Sequence, residues 1–158
     1  MASDGGSRVD SYHVQVRPAN AEEESHWRML HDPDQSHCGT SQIDAYEPDA
    51  DWTQAKPIAL GESQTLSIAP AGDVDWLVLT LTQTTSIAIE TSGEYGDTRL
   101  WLFDASLFQV SFDDDGGAGL FSLIRISDLP AGTYYLQVDE YTGSRCIPAY
   151  RIEVRQTS

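Results

Sequence analysis

The feature that most constrains the fold is a succession of short apolar segments from residue 57 almost to the end of the chain. Eight segments of strand length follow one another, and residues typical of turns, such as Gly, Pro, Asp and Ser, separate them. They span residues 64–69, 75–81, 85–91, 98–104, 107–112, 120–127, 133–138 and 149–154. No helical period lies between them, so the sequence predicts an all-β, antiparallel sandwich or barrel and not alternating β-α-β units.

Two segments, "DWLVLTL" (75–81) and "TRLWLFD" (98–104), are apolar at successive positions. A strand with this pattern is expected to be covered on both faces, so we predict these two to be central. The aromatic residues inside strands are then predicted to be core residues: Trp76, Trp101, Phe103, Phe121 and Tyr134. Other aromatic residues fall in loops or on the alternate strand face, namely Trp52, Tyr95, Tyr135 and Tyr141. Of these, Tyr135 and Tyr141 are the candidate surface-binding aromatics.

Residues 1–43 differ from the rest and are predicted to form an N-terminal extension before a sandwich domain at 44–156. A strand is predicted at 11–17, and a short helix at 21–30 follows Asn20, a good N-cap residue. The stretch "YHVQVRP" (12–18) repeats the pattern of "YRIEVRQ" (150–156). Either the similarity is due to chance, or residues 11–17 are the closing strand of a preceding copy or a strand lent to a neighbouring subunit.

The composition excludes several partners. The 158 residues contain 25 acidic and nine basic residues, which gives a formal net charge of -16. This charge repels nucleic acid and anionic membranes, while it attracts divalent cations and also suits high salt. No apolar run reaches the ~18 residues that a membrane span needs, so no membrane insertion is expected. Cys38 and Cys146 form a candidate disulfide in an oxidising compartment, and two separate thiols are the alternative.

The sequence offers little for catalysis. All four histidines, at positions 13, 26, 31 and 37, precede the predicted sandwich, and none has the spacing of a zinc site. We find no G-x-S-x-G motif and no histidine within the core-forming strands. The chain is therefore predicted not to be an enzyme.

The stretch "DAYEPDADW" (44–52) crowds acidic residues into a segment that proline keeps from being helical. Calcium takes six to eight oxygen ligands and tolerates irregular geometry, so such a segment is a suitable donor. We predict a Ca²⁺ site formed by this stretch and a second acidic turn: Asp44, Glu47, Asp49, Asp51, Asp73 and Asp75. The alternative is a solvated acidic surface without an ion. A separate acidic stretch, "FDDDGGAG" (112–119), is interpreted primarily as a hairpin turn, with a metal site as the alternative.

Several stretches, taken in order, resemble a bacterial pre-peptidase C-terminal domain. They are "DAYEPDADWTQA", "GDVDWLVLTL", "GDTRLWLFD", "DDDGG", "LPAGTYYLQV" and "YRIEV", and together they cover residues 43–155. The resemblance implies a jelly-roll-like β-sandwich, attached to secreted peptidases and other exported proteins, in which collagen-binding members hold calcium beside the N-terminal segment.

Residue by residue, the resemblance supports most of the ligand set. Glu47 and Asp49 stand where the family's Glu-Pro-Asn-Asp motif has its Glu and Asn, whereas Ala50 stands where that motif ends in Asp, and Asp51 is the candidate replacement. Asp75, before an aromatic residue, matches the acid at the family's strand start, and Asp73 lies close to the other acid of that turn. Asp44 lies one residue from an expected ligand position.

These observations predict a non-catalytic, calcium-binding sandwich module of an exported prokaryotic protein, with a secreted or extracellular location. Its role would be in stability, secretion or attachment, and its partner an extracellular polymer, collagen-like or polysaccharide, or neighbouring copies of itself. The alternative function is a structural subunit of an extracellular fibre or surface array, assembled head to tail through the N-terminal strand.

Overall fold

A computed structural model describes residues 43–158, which form two packed β-sheets. The sheets contain nine strands: β1 Lys56–Pro57, β2 Ser63–Ile68, β3 Val74–Leu81, β4 Thr85–Ser92, β5 Thr98–Phe103, β6 Gln109–Asp113, β7 Leu123–Leu129, β8 Gly132–Glu140 and β9 Ile147–Gln156. A single short 3-10 helix, Trp52–Gln54, precedes β1 within these residues. No helix in this part of the chain is long and apolar enough to cross a membrane.

The strand order confirms the predicted all-β sandwich. One sheet has the order β1-β3-β8-β5-β6 and the other the order β2-β9-β4-β7. All pairs are antiparallel except β1 and β3. The ninth strand, β1, was not predicted, because its two residues are too few to show an alternating pattern.

The core lies between the two sheets and is formed by alternate residues of each strand. Leu77 and Leu79 of β3 face Ile152 and Val154 of β9 from opposite sheets, and all four are fully buried. Burial of an aliphatic side chain of this size stabilises the fold by about 1.5–3 kcal/mol. The alternation seen in the sequence thus becomes one apolar face per sheet.

The prediction for β3 and β5 is correct in one respect and wrong in another. Both strands are paired on two sides, so they lie inside their sheet. However, Trp76, Trp101 and Phe103 are not core residues, since they lie half-buried on the outward face of the five-stranded sheet. These rings cover one another: Trp76 stacks on Phe103 with centroids 5.5 Å apart. Phe121 and Tyr134 are buried, as predicted.

The strand register brings several loops to one end of the sandwich. Val74 at the start of β3 pairs with Asp139 near the end of β8, and Thr98 at the start of β5 pairs with Glu140. The start of β3, the start of β5 and the end of β6 therefore meet at the same end of the five-stranded sheet. Asp75, Asp97 and Asp114 lie at or next to these three points, and the segment before β1 reaches the same end through the bond from Trp76 N–H to the Asp49 carbonyl.

Strand β9 contains residues 150–156, the stretch that residues 12–18 resemble in sequence. It lies between β2 and β4 and pairs with both, so the chain supplies this strand itself. The predicted N-terminal strand at 11–17 and helix at 21–30 lie outside the described residues.

Candidate metal site

The segment before β1 is attached to both sheets through its acidic residues and its backbone. The Asp44 carboxylate accepts hydrogen bonds from the backbone N–H groups of Tyr46, at 2.8 Å, and of Ser67 at the end of β2, at 2.6 Å. Farther along, the N–H of Trp76 donates to the carbonyl oxygen of Asp49 at 3.0 Å. The segment is thus fixed beside the start of β3, which places its side chains close to Asp75.

Three of the six predicted ligands converge into what we call the buried acidic cluster: Glu47, Asp49 and Asp75. One carboxylate oxygen of each lies within 4.8 Å of those of the other two. Asp49 and Asp75 have no exposed surface. Both carboxylate oxygens of Asp49 and Oδ1 of Asp75 lack any hydrogen-bond partner. Buried polar atoms are almost always partnered, so these three oxygens are candidate ligand atoms.

The second oxygen of Asp75 is held by the opposite sheet. The hydroxyl of Tyr150 on β9 donates a short hydrogen bond to Asp75 Oδ2, and Tyr150 is itself fully buried. This bond crosses the core from one sheet to the other. It fixes the orientation of the Asp75 carboxyl group and leaves Oδ1 directed toward the cluster.

The electrostatics of the cluster favour protonation unless a cation is present. Burial raises the pKa of Asp49 to about 7, and the charges of Glu47, Asp44 and Asp73 add to the effect. Burial also raises the pKa of Asp75 to about 9, although the Tyr150 hydrogen bond opposes the shift. The pKa of Glu47 is raised by burial and by the charge of Asp73. A divalent ion reverses this preference because it favours the ionised carboxylates.

The other three predicted ligands have different positions. Asp73 accepts hydrogen bonds from the N–H groups of Ala69 and Val74, so it shapes the turn before β3 while its charge acts on Glu47. Asp44 is occupied by the anchoring bonds described above. Asp51 is exposed and caps the 3-10 helix, where its Oδ1 accepts from both the N–H and the hydroxyl of Thr53. The structure therefore does not bring Asp51 into the cluster.

The donor set of the buried acidic cluster suits a hard cation. Its members are carboxylate oxygens only, and Ca²⁺ prefers oxygen ligands in flexible geometry, whereas zinc favours nitrogen and sulfur. Two buried side chains come from separate parts of the chain, so an ion there would join the 44–49 segment to β3.

A second group, which we call the rim acidic cluster, contains Asp97, Asp114 and Asp115. Their carboxylate oxygens also lie within 4.8 Å of one another, but Asp97 and Asp114 are partly exposed and Asp115 is exposed. Burial and the charges of Asp115 and Asp114 raise the pKa of Asp97 to about 6. The turn interpretation of 112–119 has a structural counterpart, because Asp113 Oδ2 accepts from the N–H groups of Gly116 and Leu123. No local pattern predicted that Asp97 would join this stretch, because the contact depends on the pairing of β5 with its neighbours.

The aromatic side chains form a second surface feature, which we call the aromatic face. It is the outward side of the five-stranded sheet and carries Trp76, Trp101, Phe103, Phe112 and Tyr135. The Trp101 and Phe112 rings are 5.0 Å apart, and Trp52 contacts Tyr135 edge-on at 5.9 Å. The predicted binding residue Tyr135 lies on this face, and Tyr141 follows β8 with about half of its surface exposed. The two tryptophans were missed because their strands looked fully buried.

The guanidinium of Arg99 extends the aromatic face toward the acidic end of the sheet. It lies 5.1 Å from the centroid of the Trp101 ring and 5.9 Å from that of Tyr141. It also forms a bidentate ion pair with Asp139, at 2.9 and 2.7 Å. The Arg99 guanidinium thus contacts both the Trp101 and Tyr141 rings and the Asp139 carboxylate.

Cys146 is buried at the start of β9 and is disulfide-bonded. Its predicted partner, Cys38, lies outside the described residues, so the pairing stays a prediction.

The fold and the cluster together define a class: a two-sheet β-sandwich module whose entering segment contributes to a buried cluster of carboxylates. Within that class, residues 73–140 match the model of the bacterial pre-peptidase C-terminal domain family. This match confirms the family resemblance predicted from the sequence motifs.

One solved structure with a TM-score above 0.5 supports the same fold. The pre-peptidase C-terminal domain of a collagenase from Bacillus anthracis is similar with a TM-score of 0.53 and 19% identity, over 63% of this chain and 93% of that chain. PliG of Aeromonas hydrophila, a periplasmic inhibitor of g-type lysozyme, gives 0.44 and 12%, over 65% and 99%. CsCBM6-3 of Clostridium stercorarium, solved with cellobiose, gives 0.36 and 12%, over 77% and 92%. No curated protein sequence matches the chain significantly.

Proposed function

We propose that this chain is a calcium-binding, non-catalytic β-sandwich module of an exported protein. The observation that carries the proposal is the buried acidic cluster, in which Asp49 and Asp75 together present three buried oxygens without a hydrogen-bond partner. Removing an ionised carboxylate from water without a counter-charge is costly. A bound Ca²⁺ would compensate that cost and would tie residues 44–49 to β3.

The role of the ion would be to fix the entry of the chain into the sandwich. The backbone bond from Trp76 to Asp49 already aligns the two segments. An ion between their side chains would prevent this segment from separating without unfolding the start of β3. Such a clamp would suit a module that works outside the cell, where calcium is plentiful and rigid segments resist proteolysis.

Thermal unfolding of the full chain tests the proposal. An ion that binds only the folded state stabilises it by mass action, by about 3–4 kcal/mol when it is present at 100 to 1,000 times its Kd. We expect Tm to rise by about 10 °C or more between EDTA and excess calcium. Magnesium should have a smaller effect because it requires tighter octahedral geometry. An unchanged melt together with no heat of calcium binding would refute the proposal.

Attachment to an extracellular polymer is a second candidate role, which the aromatic face supports. Five aromatic rings from four adjacent strands, β3, β8, β5 and β6, offer an extended apolar platform on one sheet surface. The chemistry fits the flat apolar sides of polysaccharide rings or the proline-rich surface of a collagen-like helix. The net charge of -16 disfavours anionic polymers.

Sedimentation of the chain with insoluble collagen, cellulose and chitin tests this role. Replacement of Trp101 by Ala should reduce the bound fraction at least ~10-fold if its ring is a central contact. The control is Leu60→Ala, since Leu60 is an exposed apolar residue that lies away from the aromatic face, in the loop between β1 and β2. If both variants bind as well as wild type, or if the chain binds none of the polymers, the proposal of attachment through the aromatic face is refuted.

The module is proposed to have no catalytic activity of its own and to act outside the cell, as the family match suggests. The fibre alternative, assembled through the N-terminal strand, stays a prediction. Its donor strand lies outside the described residues, and the slot of β9 is already filled by the chain itself.

A further inference from the structure

Strand β6 is an exposed edge of the five-stranded sheet. Among residues 43–158 it pairs only with β5, so its other side has backbone groups without a strand partner. Three apolar residues of β6 and the turn before it are exposed: Phe108 by 71%, Val110 by 42% and Phe112 by 43%. A long apolar edge of this kind is a template for an additional strand.

The two edges of the other sheet differ from β6. The residues of β7 with the greatest exposure are polar, namely Arg125, Ser127 and Asp128, and those of β2 are Ser63 and Thr65. The remaining edge strand in the described part of the chain, β1, has only Lys56 and the exposed Pro57, so β6 is the edge strand there that exposes large apolar side chains. This difference indicates that β6 is covered in the working protein.

We propose that the free edge of β6 binds residues 11–17 of the same chain as a sixth strand of that sheet. In this segment Tyr12, Val14 and Val16 alternate with more polar residues, so they would share one face of an added strand. That face would extend the row in which Trp101 pairs with Phe112. The polar residues between them would lie on the opposite side.

The charges at the two ends of β6 favour this occupant. Asp104 precedes the strand, and Asp113, Asp114 and Asp115 end it. The N-terminal segment ends with Arg17, and on its other side Arg8 offsets the charge of Asp10. In either strand direction, Arg17 would approach an acidic end of β6, which is an arrangement that favours association.

The same charges argue against pairing between the β6 strands of two copies. An antiparallel pair would place Asp104 of one copy near residues 113–115 of the other, so that acids would face acids at both ends. Like charges opposite each other across strands are destabilising. A strand that carries Arg17 at one end and has no net charge on the other flank is therefore a better occupant than a second β6.

The length of the connection allows binding within one chain. Residues 18–42 can span up to ~80 Å when extended, whereas a domain of this size has a radius of gyration of about 13 Å. A segment joined by such a linker is present at an effective concentration in the millimolar range. Free copies in dilute solution do not reach that concentration, so the chain's own segment should occupy the edge first.

Hydrogen exchange of the full chain tests the proposal, with the variant Val14→Pro as the main probe. Proline removes a backbone donor and is not tolerated inside a paired strand. Exchange in the peptide 108–113 should accelerate at least ~10-fold in this variant, while the peptide 134–138 of β8 should remain unchanged. The matched control is Ser7→Pro, which lies outside the proposed strand and should behave as wild type. Unchanged exchange of residues 108–113 in Val14→Pro would overturn the proposal.

A dilution series separates the chain's own segment from that of a neighbour. We expect the protection of residues 108–113 to be constant over a ~100-fold range of protein concentration, with the protein monomeric by light scattering. Protection that disappears on dilution together with a dimer would show that a second copy supplies the strand, and would overturn binding within one chain.

Discussion

The buried and rim acidic clusters have the same number of carboxylates and similar spacing, yet they differ in their access to water. Both lie at the same end of the five-stranded sheet, and in each the oxygens are within 4.8 Å of one another. Two members of the buried cluster have no exposed surface. All members of the rim cluster retain some exposure.

This difference is the basis of the proposal that the buried cluster binds an ion. In the rim cluster, one oxygen each of Asp97 and Asp114 is also buried without a hydrogen-bond partner, but all three residues keep some exposed surface, so water screens part of their repulsion. In the buried cluster, the same repulsion acts in a region of low dielectric, where it is stronger and where no protein donor satisfies Asp49. Proximity of acids is thus a weak indicator of a metal site, and proximity combined with burial is a stronger one.

The largest expected effect is on the calcium-induced rise in Tm. One Asp→Asn substitution in each cluster tests which cluster causes it. Asp49→Asn removes a charged ligand from the buried cluster, so the calcium-induced rise in Tm should fall from about 10 °C to under ~2 °C. Asp114→Asn makes the same chemical change in the rim cluster and should leave the rise intact. Differential scanning calorimetry with and without EDTA measures both. A full calcium response in Asp49→Asn, or its loss in Asp114→Asn, would reverse the assignment.

The next effect is a pH dependence in the absence of calcium. The pKa values of Asp49 and Asp75 are raised in the folded state, to about 7 and about 9, so between about pH 4 and about pH 9 the folded state holds more protons than the unfolded state. Stability should therefore be highest near about pH 4 and fall as the pH rises, by an amount on the order of a few kcal/mol.

The rim cluster contributes to this curve only at lower pH. The pKa of Asp97 is raised to about 6, so its part of the decline should be complete near about pH 7. The slope above that pH should belong to the buried cluster, should decrease in part in Asp49→Asn because Asp75 still titrates, and should flatten in excess calcium. Urea unfolding at a series of pH values in EDTA measures it. A stability that increases above about pH 7 would contradict the raised pKa values.

The sequence was sufficient to predict much of the sandwich because its strands have strong local signals. Alternating apolar residues and turn residues identified eight of the nine strands, and β1 escaped because two residues carry no period. The prediction failed at Trp76 and Trp101. Apolar residues at successive positions indicate that a strand is covered on both faces, but they do not distinguish a core from rings that cover one another on an outer face.

The candidate site could be predicted in part for a different reason. Acids at alternate positions of a proline-containing segment indicated oxygen donors, and Glu47 and Asp49 do converge with Asp75. Local spacing could not show that Asp51 would instead cap the 3-10 helix. Nor could it show that Tyr150, far away in the sequence, would hold Asp75, because that contact depends on how the two sheets pack.

Tyr150→Phe should have a smaller effect than loss of the ion. The variant keeps the ring in the core and removes the hydroxyl that donates to Asp75, leaving a buried oxygen unsatisfied at a cost of about 1–3 kcal/mol. Tyr134→Phe is the matched control, because its hydroxyl donates at 2.8 Å to the carbonyl of the exposed residue Pro130, which water can satisfy. Urea unfolding in EDTA should show the larger loss for Tyr150→Phe. Equal losses would mean that this bond contributes no more than an ordinary one.

The smallest expected effect is that of Asp97→Asn, and its sign is informative. If the rim cluster is a solvated group of like charges, removal of one charge relieves repulsion, and the free energy of unfolding should rise by about 0–1 kcal/mol at neutral pH. If the cluster instead held an ion, the same variant would be destabilised in calcium but not in EDTA. Melting curves in both conditions therefore distinguish the two cases. A destabilisation limited to calcium would show that the exposure of Asp97 and Asp115 does not prevent ion binding, and that burial is not what separates the clusters.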